Sequence, residues 1–228
     1  MITPAFLWLI LSQLSVIFPV YIGYKLDFKK WKTPILVLII TAFFSSLYHW
    51  DDQDNYNEEL IFLGMNHFVH KYMDFYGCYL SFLMIIFYSI NINDKNEYFN
   101  FYLVLLNIIS VLLALVNISW YLFTVLILLL ILVYLILIKK VRLILLILKT
   151  LLKNKIISFI GFSLFIISMI MQYYLCNIHD SGYYYQLYHG FWHFFLYLSA
   201  GICMIINKYL INRINEEINY KKIICFQV

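Results

Sequence analysis

Long apolar stretches separated by short polar segments dominate the hydropathy pattern of this chain. A window of about 20 residues, the length of a helix that crosses a bilayer, finds seven such stretches. The predicted spans are Ala5–Tyr24, Pro34–His49, Phe68–Ile90, Phe99–Val116, Trp120–Ile138, Ile156–Cys176 and Tyr184–Ile206. The pattern therefore predicts an all-α, polytopic membrane protein in which residues 1–207 form a seven-transmembrane helix bundle.

The composition supports this fold class. Hydrophobic residues make up 64% of the 228 residues and charged residues only 12%, whereas soluble domains are ~45–50% apolar. Of the sixteen Lys and Arg residues, fifteen follow the first, third, fifth or seventh predicted span, and Lys71 is the exception. Because cytoplasmic loops collect positive charge, we expect the amino terminus outside the cytosol and the carboxyl terminus inside it.

This topology also accounts for the net charge of +4, which therefore does not indicate nucleic acid as a partner. Residues 208–228 are predicted to form a cytosolic amphipathic tail, because Leu210, Ile214 and Ile218 recur at helical spacing. We expect a multi-pass protein of the plasma membrane or a secretory-pathway membrane. Its expected partners are the lipid bilayer and a membrane lipid, bound as substrate or as ligand.

Three histidines at the same predicted depth in the membrane are the first candidate functional residues. The last predicted span opens with His189-Gly190-Phe191-Trp192-His193, and on a helix this spacing places both imidazoles on one face, within reach of one Zn²⁺ ion. The pair alone also fits an ordinary interfacial belt of aromatic residues. His49 ends the second predicted span at the same membrane face and would be the third ligand, which leaves one position for water. The three histidines predict a zinc site, and a haem between His49 and His193 is the alternative.

Two polar residues at similar depth are the candidate catalytic groups. Ser45 precedes His49 by one helical turn and is predicted to donate to a developing oxyanion, or else to bond back to its own helix carbonyl. Asp74 lies ~9 Å inside the third predicted span, where a lone carboxylate is costly. We expect it to take a proton from water at the metal, or else to pair with Lys71. Gly77 would let another helix approach closely.

The other polar residues and the cysteines give weaker indications of function. Asp52, three residues after His49, is predicted either to orient a ligand through a hydrogen bond or to belong to the acidic loop. His67 and His70 are expected to be solvated at the water boundary, or else one of them is expected to guard the pocket mouth. Cys225 is either a plain tail cysteine or a lipidation site. Three further cysteines are expected to be small packing residues: Cys78, Cys176 and Cys203.

Three elements together carry a resemblance. Ser45-x-x-x-His49, Asp74 and His189-x-x-x-His193 lie on predicted spans two, three and seven. The combination resembles the CREST superfamily of seven-span metal hydrolases, which contains alkaline ceramidases and adiponectin receptors. Within it, FSSLYHWDD at positions 44–52 resembles the F-S-x-x-Y-H-x-x-D stretch of the branch that holds myomaker and the post-GPI-attachment lipase. Positions 74–81 resemble that branch's D-F-x-G-x-x-x-S motif.

The resemblance implies a zinc-dependent lipid hydrolase that cleaves an acyl ester or amide at the outer leaflet, with Asp74 as general base and Ser45 at the oxyanion. Alkaline ceramidases carry an acidic calcium site ahead of their first span, and nothing acidic precedes Ala5 here, which disfavours a ceramidase. Adiponectin receptors have the inverted orientation, so the predicted topology disfavours them as well. The myomaker side of the branch implies a different class, a cell–cell fusion or membrane-remodelling protein in which the metal is only structural. Both classes remain open at this stage.

Overall fold

The computed structural model describes residues 3–53, 67–89, 99–116, 141–178 and 182–226, and these residues are helical apart from short turns, with no strand among them. Eight α-helices lie in the described ranges: α1 Pro4–Ser12, α2 Ile17–Gln53, α3 His67–Ser89, α4 Phe99–Val116, α5 Val141–Lys153, α6 Lys155–Ile170, α7 Cys176–Ile178 and α8 Gly182–Phe226. A 3-10 turn, Gln13–Val16, joins α1 to α2, and a π-helical segment, Met171–Leu175, joins α6 to α7.

Three helical stretches in the described residues are long and apolar enough to cross a membrane: Pro4–Trp50, Lys155–Leu175 and Gly182–Glu216. A shorter apolar helical stretch covers Val104–Leu113. The all-helical class and the membrane-length helices are thus confirmed, whereas the number of spans and their orientation stay predictions. The fifth predicted span, Trp120–Ile138, lies outside the described residues.

The first of these stretches reverses direction within α2. Its backbone leaves helical geometry at Asp27, where φ is −169° and ψ is 90°. A Cβ at Gly23 would lie only 2.9 Å from Ile35 Cδ1, although twelve residues of straight helix would separate these positions by ~18 Å. Asp27 also caps the second arm, because its Oδ1 accepts from the Lys30 N–H at 3.2 Å. The reversal falls between the first two predicted spans.

The core lies where α2, α3 and α8 meet. Trp31, Leu38, Leu80, Tyr88 and Met204 are buried there against one another's helices. Burial of such side chains stabilises a contact mainly through close packing, since lipid tails are as apolar as leucine.

A buried amide ties the same three helices together at one end. Lys30 Nζ donates to Asn207 Oδ1 at 2.7 Å, and Asn207 Nδ2 donates to the Ser89 carbonyl oxygen at 2.6 Å. The Ser89 carbonyl belongs to the last described turn of α3. Asn207 therefore gives a backbone acceptor at this end of α3 a hydrogen bond from α8.

Small residues set how closely the helices approach. A Cβ at Gly77 of α3 would lie 2.6 Å from Thr41 Oγ1 of α2, and one at Gly190 of α8 would lie 2.6 Å from the Trp8 ring of α1. The expected close approach at Gly77 is confirmed. Both glycines lie within three residues of a polar residue singled out in the sequence, so they determine which side chains meet.

Candidate metal centre

Three histidines from two distant parts of the chain converge in the interior. His49 lies near the end of α2, and His189 and His193 lie one turn apart near the start of α8. Their exposed fractions are 2%, 5% and 1%. One ring nitrogen of each lies within 4.8 Å of the others, so the group could hold a metal ion.

The positions of the ring nitrogens fit a shared metal ion. The Nε2 atoms of His49 and His193 are 3.1 Å apart, and two nitrogens bound at ~2.0–2.1 Å to one tetrahedral ion are ~3.4 Å apart. Both nitrogens of His189 are buried and have no hydrogen-bond partner among the described residues. Buried polar atoms are nearly always satisfied, so an unpaired imidazole beside two others fits a ligand better than a packing residue.

The same distance counts against haem. An iron with two axial histidines needs room for the macrocycle between the two rings. The Nε2 atoms of His49 and His193 are within direct hydrogen-bonding distance, so no such room exists between them.

Ser45 and Asp74 lie beside the histidines. Ser45 Oγ is 3.4 Å from His193 Nε2, and its hydroxyl also lies beside the Asp74 carboxyl group. The alternative expected for Ser45, a bond back to its own helix, is instead made by its neighbour Ser46, which donates to the Ala42 carbonyl oxygen at 2.8 Å. Both Ser45 and Asp74 are buried. No ion pair joins Asp74 to Lys71 in the part of the chain that the structure describes.

Two residues near the centre were not predicted to contribute to it. Cys78 Sγ donates to Asp74 Oδ1 at 3.6 Å, so this cysteine does more than fill space. Tyr197 lies one turn after His193, with its ring stacked against the imidazole at 6.3 Å between centroids, and its hydroxyl donates to Gln13 Oε1 at 3.4 Å. Spacing of four residues from Asp74 and from His193 was the available sequence signal for both.

An apolar cavity of about 300 Å³ adjoins the centre. His193, Cys78 and Tyr197 line one part of it, and Leu151 and Ile206 line another. His193 and Ile206 are 13 positions apart on α8 (193 to 206), so the residues of α8 that line the cavity cover ~20 Å of that helix. Its walls come from α2, α3, α5, α6 and α8 and are almost entirely apolar.

The remaining predicted positions fall into two groups. His70 was expected to be solvated, but its exposed fraction is 0%. Because α3 begins at His67, His70 lies in the first turn of this helix, where the protein encloses it. The side chains of Asp52, His67 and Cys225 lie outside the described residues, so their predicted roles stay predictions.

Fold and site together define an all-helical chain with membrane-length helices and a buried three-histidine group that could hold a metal ion. The chain belongs to a family described as a protein of unknown function, DUF3522, whose model matches residues 2–194. The matched range contains all three histidines together with Ser45 and Asp74. No curated protein and no solved structure matches the chain significantly.

Proposed function

We propose that this protein is a zinc-dependent lipid hydrolase that cleaves an acyl ester or amide, with His49, His189 and His193 as the metal ligands. The observation that carries the proposal is the meeting of a polar centre and an apolar cavity at His193. A hydrolase acting on lipids needs both, because the reacting bond is polar and the chain attached to it is not. Zinc bound there would supply Lewis-acid activation of a water molecule and of the substrate carbonyl.

The protein's own groups would handle the proton and the developing charge. In the proposed mechanism Asp74 is ionised in the resting centre and accepts hydrogen bonds, and the Ser45 hydroxyl beside it would be one donor. Asp74 would take the proton from the attacking water and later return it to the leaving group. Ser45, between Asp74 and His193, would turn its single proton towards the oxyanion as charge develops there.

The dimensions of the cavity favour a lipid acyl chain as its occupant. Its lining covers ~20 Å of α8, about two thirds of a hydrocarbon core that is ~30 Å thick. Its walls offer few hydrogen-bonding groups, which would reject a polar chain of the same length. The cavity would thus bind the hydrocarbon and place the polar bond near His193.

The proposed setting is the seven-span topology with the amino terminus outside and the carboxyl terminus in the cytosol. In that topology the three histidines lie near the outer face, at the depth of lipid headgroups. The resemblance to the CREST superfamily, and to its branch with myomaker and the post-GPI-attachment lipase, agrees with this setting. The membrane would be the plasma membrane or one of the secretory pathway.

A second candidate function is cell–cell fusion or membrane remodelling with a purely structural metal. The observation in its favour is that the histidine group joins α2 to α8, as a closed structural zinc site would. A structural site has no use for a carboxylate and a hydroxyl beside the ligands. The contacts of Ser45 with Asp74 and His193 therefore favour the hydrolase.

Substitutions of these two polar residues separate the candidates. Asp74→Asn keeps nearly the same shape but removes the base, so we expect lipid turnover to fall about 100- to 10,000-fold with unchanged metal content. Ser45→Ala should cost about 100-fold if one oxyanion hydrogen bond is lost. Ser46→Ala is the matched control, because this neighbouring hydroxyl bonds to its own helix.

The assay measures lipid products by mass spectrometry and cell–cell fusion in the same folded variants. Loss of turnover in Asp74→Asn with normal surface expression would support the hydrolase. Fusion by the parent protein without any lipid product, unchanged in both variants, would replace the hydrolase by the structural-metal candidate.

A further inference from the structure

Cys78 stands out among the buried groups for which the proposed chemistry has no role. It follows Asp74 by four residues on α3, so the two side chains share one face of the helix. The thiol donates to Asp74 Oδ1 at 3.6 Å and is 8% exposed. It also lines the apolar cavity together with His193. Cys78 therefore lies beside the carboxylate and at the surface that an acyl chain would touch.

The carboxyl group of Asp74 is approached from two helices. Ser45 lies beside it on α2, and Cys78 reaches it from one turn further along α3. Rotation of the carboxyl group about its side-chain bonds would break the hydrogen bond from Cys78. Because hydrogen bonds to a charged acceptor are stronger than neutral ones, this donor restricts the orientation of Asp74.

Hydroxyl groups in this fold usually bond to their own helix. Thr41, Ser46, Ser110 and Thr150 each donate to the carbonyl oxygen four residues earlier, at 2.7–2.8 Å. Cys78 instead donates to a side chain. A thiol is a weaker donor than a hydroxyl and behaves mainly as a small hydrophobe. It therefore suits a position that borders an apolar cavity and whose one polar contact is a carboxylate.

We propose that Cys78 is a positioning residue, whose thiol holds the Asp74 carboxylate towards the histidine group while its sulfur forms part of the cavity wall. This inference rests on the proposed hydrolase for its effect on rate, but the contact itself can be measured independently. Cys78 acts through Asp74 and takes no part in bond making or breaking.

Kinetics of three substitutions test the effect on rate. Cys78→Val fills the space without a donor, so KM should stay near that of the parent while kcat falls about five- to tenfold, the range that one hydrogen bond supplies. Cys78→Ala should lower kcat similarly and also raise KM, because it leaves a gap in the cavity wall. Cys78→Ser should retain more kcat than either, since it keeps a donor. Cys176→Ala is the matched control, a buried thiol that belongs neither to the histidine group nor to the cavity lining.

Infrared spectroscopy tests the contact without any assay of activity. The S–H stretching band of Cys78 is isolated as the difference between the parent and Cys78→Ser. We expect it below the band of Cys176, and we expect Asp74→Ala to move it up. A Cys78 band that does not respond to Asp74→Ala, or a kcat unchanged in folded Cys78→Val, would overturn the proposal. If the parent turned over no lipid, the hydrolase would fail, and the infrared result alone would decide on Cys78.

Discussion

At the scale of single residues, neighbouring serines show how position decides the role of a side chain. Ser45 and Ser46 are adjacent on α2, yet only Ser45 faces the histidine group. Ser46 donates a hydrogen bond to the Ala42 carbonyl oxygen of its own helix. One residue on a helix corresponds to a rotation of ~100°. The H-x-x-x-H spacing works by the same rule, because residues four apart share a face. Sequence spacing predicted a shared helix face for Ser45 and His49, whereas the contact of Ser45 with His193 depends on how α2 and α8 pack.

The first residue-scale prediction concerns His189. Its two unpaired nitrogens in the described structure make it the histidine with the least reason to be buried except as a ligand. We expect about one zinc ion per chain in the purified parent protein. His189→Ala should lose it, since two protein ligands make a poor site. Elemental analysis of detergent-purified protein measures the ratio.

His70→Ala is the control for this change, because His70 is an equally buried histidine outside the group. It should retain the metal wherever the variant folds. A folded His189→Ala protein with the parent's zinc content would remove His189 from the ligand set.

At the scale of elements, the contact between α2 and α3 decides whether Ser45 and Asp74 meet. Gly77 and Thr41 form the close point of this contact. Thr41 cannot move aside freely, because its hydroxyl donates to the Val37 carbonyl oxygen at 2.8 Å and lies 2.9 Å from Ser81 Oγ. The separation of the two helices is therefore fixed within one turn of Asp74.

Gly77→Ala should be destabilising for this reason. Alanine favours a helix by ~1 kcal/mol relative to glycine, whereas overpacking of a tight contact costs about 1–3 kcal/mol. With a new Cβ only 2.6 Å from Thr41 Oγ1, the overpacking term should win. Unfolding of the purified protein in detergent, followed by heat or denaturant, measures the difference.

A double-mutant cycle identifies the cause. Thr41→Ala removes the atom nearest to the new Cβ, so Gly77→Ala should cost less in the Thr41→Ala background than in the parent. Equal costs in both backgrounds would mean that the contact with Thr41 is not what Gly77 protects.

Helix boundaries in this chain could be predicted from hydropathy, because they depend on local composition. The predicted fourth span coincides with α4, Phe99–Val116, and the predicted sixth span, Ile156–Cys176, differs by one residue at each end from the apolar stretch Lys155–Leu175. Helical structure in the tail was predicted from the spacing of Leu210, Ile214 and Ile218, and α8 indeed continues to Phe226. That the tail continues the helix of the last predicted span was not predicted, because hydropathy falls after position 207 whether or not the helix is interrupted.

Part of the site could also be predicted from the sequence. Histidine and aspartate are expensive in hydrocarbon, so their presence at one depth is informative before any fold is known. The contact of Cys78 with Asp74 could not be predicted, because a buried thiol usually acts only as a small hydrophobic residue. The apolar cavity could not be predicted either, because it depends on how side chains from five helices pack. The burial of His70 likewise depends on tertiary packing around α3.

At the scale of the whole molecule, the amino-terminal segment packs against the first half of the last helix, α8. Thr3 Oγ1 donates to Gln186 Oε1 at 3.1 Å, and Tyr197 donates to Gln13 from 184 positions away. α1 packs beside α8 through Trp8, whose ring contacts Phe191 and Phe194. α1 therefore packs against the part of α8 that bears His189 and His193.

The proposed topology gives a prediction at this scale. An epitope placed after Val228 should be cytosolic, and the loop that holds Asp52 and Glu58 should be on the opposite side, because the cations follow the odd-numbered predicted spans. Antibody labelling of cells with and without permeabilisation distinguishes the two sides. Labelling of the loop only after permeabilisation, in cells with confirmed surface protein, would invert the orientation.

The 144 positions between His49 and His193 impose an order on biogenesis. A polypeptide emerges from the ribosome amino terminus first, so α2 and α3 are made long before the turn that bears His189 and His193. Until α8 arrives, His49, Ser45 and Asp74 have no partners from that helix. A metal ion held by all three histidines would therefore bind only after α8 is made, and a nascent chain arrested before α8 would expose His49, Ser45 and Asp74 without His189 and His193.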